Sequence, residues 1–275
     1  MTKKTALVTG AGGGLGHATV ERLVASGWKV FEADLSKDML RSSMHDPDVF
    51  PVVMDVTSKD SLQSAFDAVS SQTDRLDAIV NFAGVMGVGS LVDMPEERFA
   101  RILDVNLMGT FRVNQIFFPL VEAAKGRIVN ISSETGWQSP APFTGPYATS
   151  KHAVEAYSTA LRREVALLGV KVIVIQPGSF KTDMVSGIEH AFSLAADESE
   201  RFGGLLRRMK GLAAKAAGKA GDPNTLAQTI ETALTVTYPK LAYSVKPDKA
   251  RSALEYLPAR AVDQIYLTVM RKVRR

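Results

Sequence analysis

From the amino terminus to beyond the middle of the chain, short apolar runs of strand length alternate with stretches whose apolar residues recur at helical spacing. Ala6-Leu7-Val8 predicts a first strand, and a helix from about Leu15 to Ser26 follows it, closed by Gly27. Trp28 to Ala33 predicts a second strand and Pro51 to Met54 a third. A helix through Leu62, Phe66 and Val69 leads to a fourth strand at Leu76 to Val80. After Pro95, at a helix start, a long periodic stretch carries Phe99, Ile102, Leu103, Val105, Leu107, Phe111, Val113 and Ile116. Gly126 to Ser132 predicts a fifth strand and Val170 to Ile175 a sixth. Strands this apolar, separated by helices, imply a parallel sheet covered on both faces, hence an α/β, doubly wound fold. In such sheets ligands bind beyond the carboxyl ends of the strands.

The whole chain, residues 1–275, reads as one domain with no internal repeat or low-complexity linker. From about 185 to 221 the pattern loosens into an Ala/Lys-rich stretch with Gly203-Gly204, which reads either as a lid over substrate or as a surface insertion. A helical extension is expected over about 248–275. Apolar content of 45% and charged content of 23% are those of an ordinary soluble globular protein. Cysteine is absent, which excludes disulfides, thiolate catalysis and Cys-based metal sites and fits a reducing compartment. The net charge of +4 gathers partly in Arg271-Lys272-Val273-Arg274-Arg275, while basic residues elsewhere alternate with acids, so no nucleic-acid footprint is read. The four histidines, His17, His45, His152 and His190, have no metal-ligand spacing, and no metal is expected. The apolar run behind Met1-Thr2-Lys3-Lys4 is too short for a signal peptide, and no run reaches transmembrane length, so the expectation is a cytoplasmic protein.

The strand ends carry the candidate chemistry. After the first strand comes Thr9-Gly10-Ala11-Gly12-Gly13-Gly14-Leu15-Gly16, whose Gly10, Gly14 and Gly16 fit G-x-x-x-G-x-G rather than the commoner G-x-G-x-x-G. Glycines there permit positive φ and close approach of backbone to a pyrophosphate at the helix amino terminus. Asp34 closes the second strand, where a carboxylate holds a ribose 2′-hydroxyl and repels a 2′-phosphate. NAD(H) is therefore favoured over NADP(H), with Lys37 as the residue that offsets the repulsion if it swings in; the competing reading of Asp34 is a turn or helix cap before Ser36. Asp55, followed by Val56, either accepts from an adenine amino group or caps the turn at Thr57-Ser58. Further along, Tyr147-Ala148-Thr149-Ser150-Lys151 puts a phenol and an ammonium on one helical face.

Taken together, these motifs resemble the single-domain short-chain dehydrogenase/reductase family, with its Rossmann-type fold. The resemblance rests on Thr9 to Gly16, on Asn81-Phe82-Ala83-Gly84, on Asn106, on Ser133, on Tyr147 and Lys151, and on Pro177-Gly178 with Thr182. Phe82 departs from the pattern, since many members carry a second Asn there. The resemblance implies that Tyr147 is the acid/base and that Lys151 lowers its pKa and binds the nicotinamide ribose. It implies further that Ser133 orients the substrate oxygen, that Asn106 bends its helix to support a proton relay, and that Thr182 meets the nicotinamide carboxamide. It also implies cofactor contacts from Thr9, Gly10, Gly14, Leu15, Gly16, Asp34, Asp55, Val56, Asn81, Ala83, Gly84, Pro177 and Gly178, and a homodimer or homotetramer formed through the helix of Tyr147.

Residues expected around the reacting carbon are apolar: Met86, Trp137, Phe143, Phe180, Met184 and Phe192. They suit a secondary alcohol or ketone on a steroid-, retinoid- or acyl-like skeleton. An NADPH-dependent carbonyl or 3-oxoacyl-carrier-protein reductase is the alternative, and a non-catalytic nucleotide-sensing protein on this fold is the alternative of another class. At the carboxyl end, Val262, Ile265, Tyr266, Val269 and Val273 share one helical face. That helix is expected to pack on its own domain or on a second subunit, with contact to a membrane surface the less favoured reading.

Overall fold

The computed structural model describes residues 3–40, 46–182, 187–217 and 220–274. Its strands are β1 Thr5–Thr9, β2 Lys29–Asp34, β3 Val49–Val53, β4 Ala78–Asn81, β5 Arg127–Ile131, β6 Lys171–Pro177 and β7 Ala242–Val245. They form one parallel sheet in the order β3-β2-β1-β4-β5-β6-β7. The first six coincide with the predicted runs to within two residues at either end. The seventh was missed because Ala-Tyr-Ser-Val is short, lies on the sheet edge and buries only Val245.

Helices α1 Gly14–Ala25, α2 Lys59–Ser70, α3 Glu96–Leu103, α4 Thr110–Ala124 and α5 Gly145–Val165 connect the first six strands. Two more, α6 Ile188–Glu198 and α7 Gly203–Ala217, occupy the stretch where the periodicity loosens. Then come α8 Pro223–Thr235, α9 Lys249–Leu254 and α10 Ala259–Arg274. None of the described helices is long and apolar enough to cross a membrane.

Both faces of the sheet are buried, which is why its strands read as unbroken apolar runs rather than alternating ones. Successive residues point to opposite sides. Val8, Val30, Val80 and Val129 meet α1 and α8 through Val20, Leu23, Leu226 and Ile230. Leu7, Phe31, Ile79 and Ile128 meet α2 and α4 through Leu62, Val69, Phe117 and Val121.

One polar cluster interrupts this apolar filling. The Asn81 amide donates to Asn114 Oδ1 at 2.7 Å and to Asn130 Oδ1 at 2.9 Å, and Asn130 Nδ2 donates to Ser158 Oγ at 2.9 Å. These bonds tie β4, β5, α4 and α5 together directly beneath the ligand-binding edge. Asn130 is fully buried, so Asn130→Ala removes an acceptor that two amides share without admitting water. A loss of about 1–3 kcal/mol is expected. It would be read as a lower denaturant midpoint at unchanged slope, and an unaltered midpoint would contradict the role given to this cluster.

Candidate active site

The carboxyl ends of the central strands open onto a cleft of about 1900 Å³. Thr9, Gly10, Gly14, Leu15, Gly16, Asp34, Asp55, Val56, Ala83, Gly84, Pro177, Gly178 and Thr182 line it, and so do Ser133, Tyr147 and Lys151. A sheet that reverses its winding between β1 and β4 brings these residues together from distant parts of the chain.

The glycine turn has the form a phosphate-binding loop needs. Gly10 holds φ of +64°, and a side chain there would strike the backbone nitrogen of Ala83 at 2.7 Å. Gly16 admits no side chain either, because the carbonyl of Gly10 stands in the way. Gly13, which precedes α1, offers no capping side chain, and the helix has no acid in its first turn. Its leading N–H groups and the positive end of its dipole are thus left to an anion. Asp34 Oδ2 accepts from Gly12 N at 2.9 Å and Oδ1 from Leu35 N at 2.8 Å, so two backbone donors lock the carboxylate at the end of β2. Lys37 is exposed and does not line the cleft. Asp55 takes the turn-capping option, with Oδ1 accepting from Thr57 N and Thr57 Oγ1, while still facing the cleft. An uncapped helix start, a cradle closed to side chains and a fixed acid fit a dinucleotide.

At the other end, Ser133 caps a short turn at Glu134–Gly136 and its hydroxyl hydrogen-bonds the Tyr147 phenol. Lys151 is buried, donates from Nζ to Ile131 O at 2.8 Å, and lies 5.6 Å from the centre of the Tyr147 ring. Asn106 sits in a π-helical turn, Asp104–Gly109, between α3 and α4. This widened turn is the helix distortion expected at that residue. Asn106 accepts from Val85 N at 2.7 Å and donates to Val85 O and Ser150 Oγ, fixing the chain that follows Gly84. A side chain at Gly84 would lie 3.2 Å from Asn106 Oδ1 and 3.8 Å from Lys151 Nζ, so Gly84 keeps these two groups close.

Several expectations need correction. Asn81 does not face the cleft, because its amide is committed to the buried asparagine cluster. Trp137 does not line the cleft, and Phe143 lines a separate groove behind it. Met86, Phe180 and Phe192 do line the cleft, whereas Met184 lies outside the described residues. The lowering of Tyr147 by Lys151 is not what the protein's own groups produce. Burial pushes the phenol up to about 12, opposed by the Ser133 hydrogen bond and reinforced by the charge of Glu134. Burial likewise pulls Lys151 down to about 8.

Glu134 was missed, although it follows Ser133 directly. Its carboxylate accepts from Asp248 N at 2.6 Å and stands 3.7 Å from Arg251 Nη1, and burial raises its pKa. It thereby straps the turn after Ser133 to α9, next to the strand that was also missed. A contact joining residues more than a hundred positions apart leaves no local signal.

An open parallel sheet with a glycine-turned helix start, a locked acid after β2 and a Ser–Tyr–Lys group beyond β5 defines a dinucleotide-dependent oxidoreductase. Residues 4–192 match the short chain dehydrogenase family model. The chain is 34% identical over 270 residues to retinol dehydrogenase 7 of Rattus norvegicus, covering 93% of this chain and 83% of that protein. It is 30% identical over 262 residues to the mitochondrial D-beta-hydroxybutyrate dehydrogenase of Bos taurus, covering 87% and 76%. A short-chain dehydrogenase from Streptomyces avermitilis has a similar structure, with a TM-score of 0.77 at 25% identity over 99% of this chain and 98% of that one. This chain belongs to the short-chain dehydrogenase/reductase family, NAD(P)-dependent enzymes that act on CH–OH groups.

Because the Glu134 charge holds the phenol proton on, Glu134→Gln is expected to lower the pH at which Tyr147 ionises. Alkaline titration of phenolate absorbance, with Tyr147→Phe to identify the signal, measures this. An unmoved midpoint would remove Glu134 from the electrostatics of the site.

Proposed function

We propose that this chain is an NAD(H)-linked dehydrogenase that interconverts an apolar secondary alcohol and its ketone. The observation that carries the reading is the junction of Ser133, Tyr147 and Lys151 at one end of a cleft whose other end is the glycine turn and Asp34. The apolar wall of Met86, Val88, Phe180, Ile188 and Phe192 supports a lipid-like substrate, as does similarity to a retinol dehydrogenase.

A bound nicotinamide would supply the hydride chemistry at the carbinol carbon. During alcohol oxidation Tyr147 takes the hydroxyl proton, and during ketone reduction it returns that proton to the oxygen. Ser133 holds the same oxygen and stabilises negative charge as it develops there. Lys151 anchors the nicotinamide ribose and contributes positive charge beside the phenol, while Asn106 keeps Lys151 and Gly84 in register. Asp34 binds the adenosine ribose hydroxyls, and its fixed charge disfavours a 2′-phosphate. Helices α6 and α7 flank the substrate end of the cleft, which Ile188, Phe192 and Ala213 line.

Two measurements test this reading. A turnover panel of apolar alcohols and ketones, run with both cofactors, should give NAD-linked activity that Tyr147→Phe lowers by about 10²–10⁴-fold while NADH binding is retained. Full turnover in Tyr147→Phe would contradict the assigned acid/base. In fluorescence titrations NADH should bind more tightly than NADPH, and Asp34→Ala should narrow the gap. Tighter binding of NADPH by the unaltered protein would favour the carbonyl-reductase alternative.

A further inference from the structure

The Lys151 ammonium is bonded to the carbonyl of Ile131 rather than to a carboxylate. One helical turn further along α5, on the same face, stands the half-buried Glu155. Its carboxylate is held in place by the sheet. Gln176 Nε2, from β6, donates to Glu155 Oε1 at 2.9 Å, and Ser244 Oγ, from β7, donates to Gln176 Oε1 at 2.5 Å. Ile131, whose carbonyl holds Lys151, pairs across the sheet with Ile175, the residue before Gln176. The ammonium and the carboxylate are therefore both fixed to the carboxyl ends of β5 and β6.

This placing has a chemical consequence. Burial pulls Lys151 down to about 8, and the charge of Glu155 opposes that pull. A carboxylate in direct contact would take up the donors of Lys151. One set a turn away leaves the ammonium beside Tyr147 and still favours its proton. The other ionisable groups around this region have different partners or places. On α5, the Tyr157 hydroxyl accepts from Asn114, and His152 is exposed. Glu134, in the turn after β5, accepts from Asp248 N and lies 3.7 Å from Arg251. Asp104, in the π-helical turn, is paired with Arg112 at 2.7 Å, and Glu97 and Arg101 of α3 are exposed. Arg127 and Lys171 stand at the opposite ends of β5 and β6.

We propose that Glu155 is a positioning residue for the reaction: held by Gln176 and Ser244, it keeps Lys151 protonated while Tyr147 exchanges its proton with the substrate. This rests on the role given to Lys151 in the proposed reaction and adds the acid that sustains it. It also gives the edge strand β7 a part in the chemistry, through Ser244.

The test follows Lys151 itself. In protein isotope-labelled at the lysine ε carbon, the Lys151 resonance is identified by its loss in Lys151→Met and titrated by NMR. Glu155→Gln keeps an acceptor for Gln176 and removes only the charge, so the Lys151 midpoint should fall by about one pH unit. Glu155→Asp should recover most of that fall, and Gln176→Leu, which frees the carboxylate, should lower the midpoint by less than Glu155→Gln. Lys151 carries its charge below its midpoint, so a lower midpoint moves the alkaline loss of activity to lower pH. In alcohol oxidation kcat/KM of Glu155→Gln should therefore drop about tenfold at about pH 9 and hardly at all at about pH 6. An unmoved Lys151 midpoint in Glu155→Gln, even with lowered thermal stability, would make Glu155 a structural residue and overturn the proposal while the alcohol reading stands. A lowered midpoint without a matching change in the pH profile would show that the reaction does not use the Lys151 charge, and the proposal would fall together with that role. If no alcohol turns over with either cofactor, the alcohol reading fails, and the Lys151 titration by itself still decides whether Glu155 sustains the ammonium.

Discussion

A buried ammonium beside a half-buried phenol at the wall of the cleft is the arrangement on which the site depends. Lys151 is 5% exposed and its Nζ has a backbone carbonyl as hydrogen-bond partner, with Glu155 the chief favourable charge. Holding a cation out of water is costly, and the protein holds it with geometry as much as with charge: the end of β5, the π-helical turn at Asn106, and a Gly84 that leaves the space. Partial removal from water also acts on Tyr147, raising its pKa. Desolvation holds the phenol proton more tightly than in a free tyrosine. Removing water also strengthens every charge interaction in the site, so a further positive charge arriving beside Tyr147 and Lys151 has a large effect on the proton.

The edge of the fold reaches into this electrostatic setting. β7 and α9 carry Asp248 and Arg251 to Glu134, one residue from Ser133. Ser139 N donates to Glu255 Oε1 at 2.6 Å, and Gln138 Nε2 donates to Ser252 Oγ at 2.9 Å, so the whole turn after β5 is fastened to the carboxyl-terminal part of the chain. On the opposite flank, Arg98 pairs with Glu198 at 2.8 Å and Ser199 donates to Asp93, tying the end of α6 to the loop and helix that follow β4. Ser133, Tyr147 and Lys151 therefore sit between two anchored flanks, one of them the C-terminal segment that holds Glu134.

The sheet and the glycine turn were legible in the sequence because each is imposed locally. Burial on two faces writes itself as runs such as Ala78-Ile79-Val80, and a turn that no side chain can enter writes itself as glycine. What could not be read was direction and distance. Asn81 stands at a strand end facing a cofactor-binding motif, yet Asn114 and Asn130, far off in sequence, draw its amide inward. Trp137 and Phe143 are apolar and close to Tyr147 along the chain, but the loop between them turns them away from the cleft. Helical spacing shows that Lys151 is near Tyr147, whereas the burial that raises the phenol's pKa leaves no mark in the spacing.

The central claim is that these residues supply a phenol whose proton is released only when positive charge is placed beside it. Phenolate titration of the protein with and without NAD⁺, using Tyr147→Phe to isolate the signal, tests it most directly. The account predicts that Tyr147 ionises at clearly lower pH in the NAD⁺ complex than in the protein alone, with Lys151→Met weakening the shift. An ionisation unchanged by NAD⁺ would contradict it.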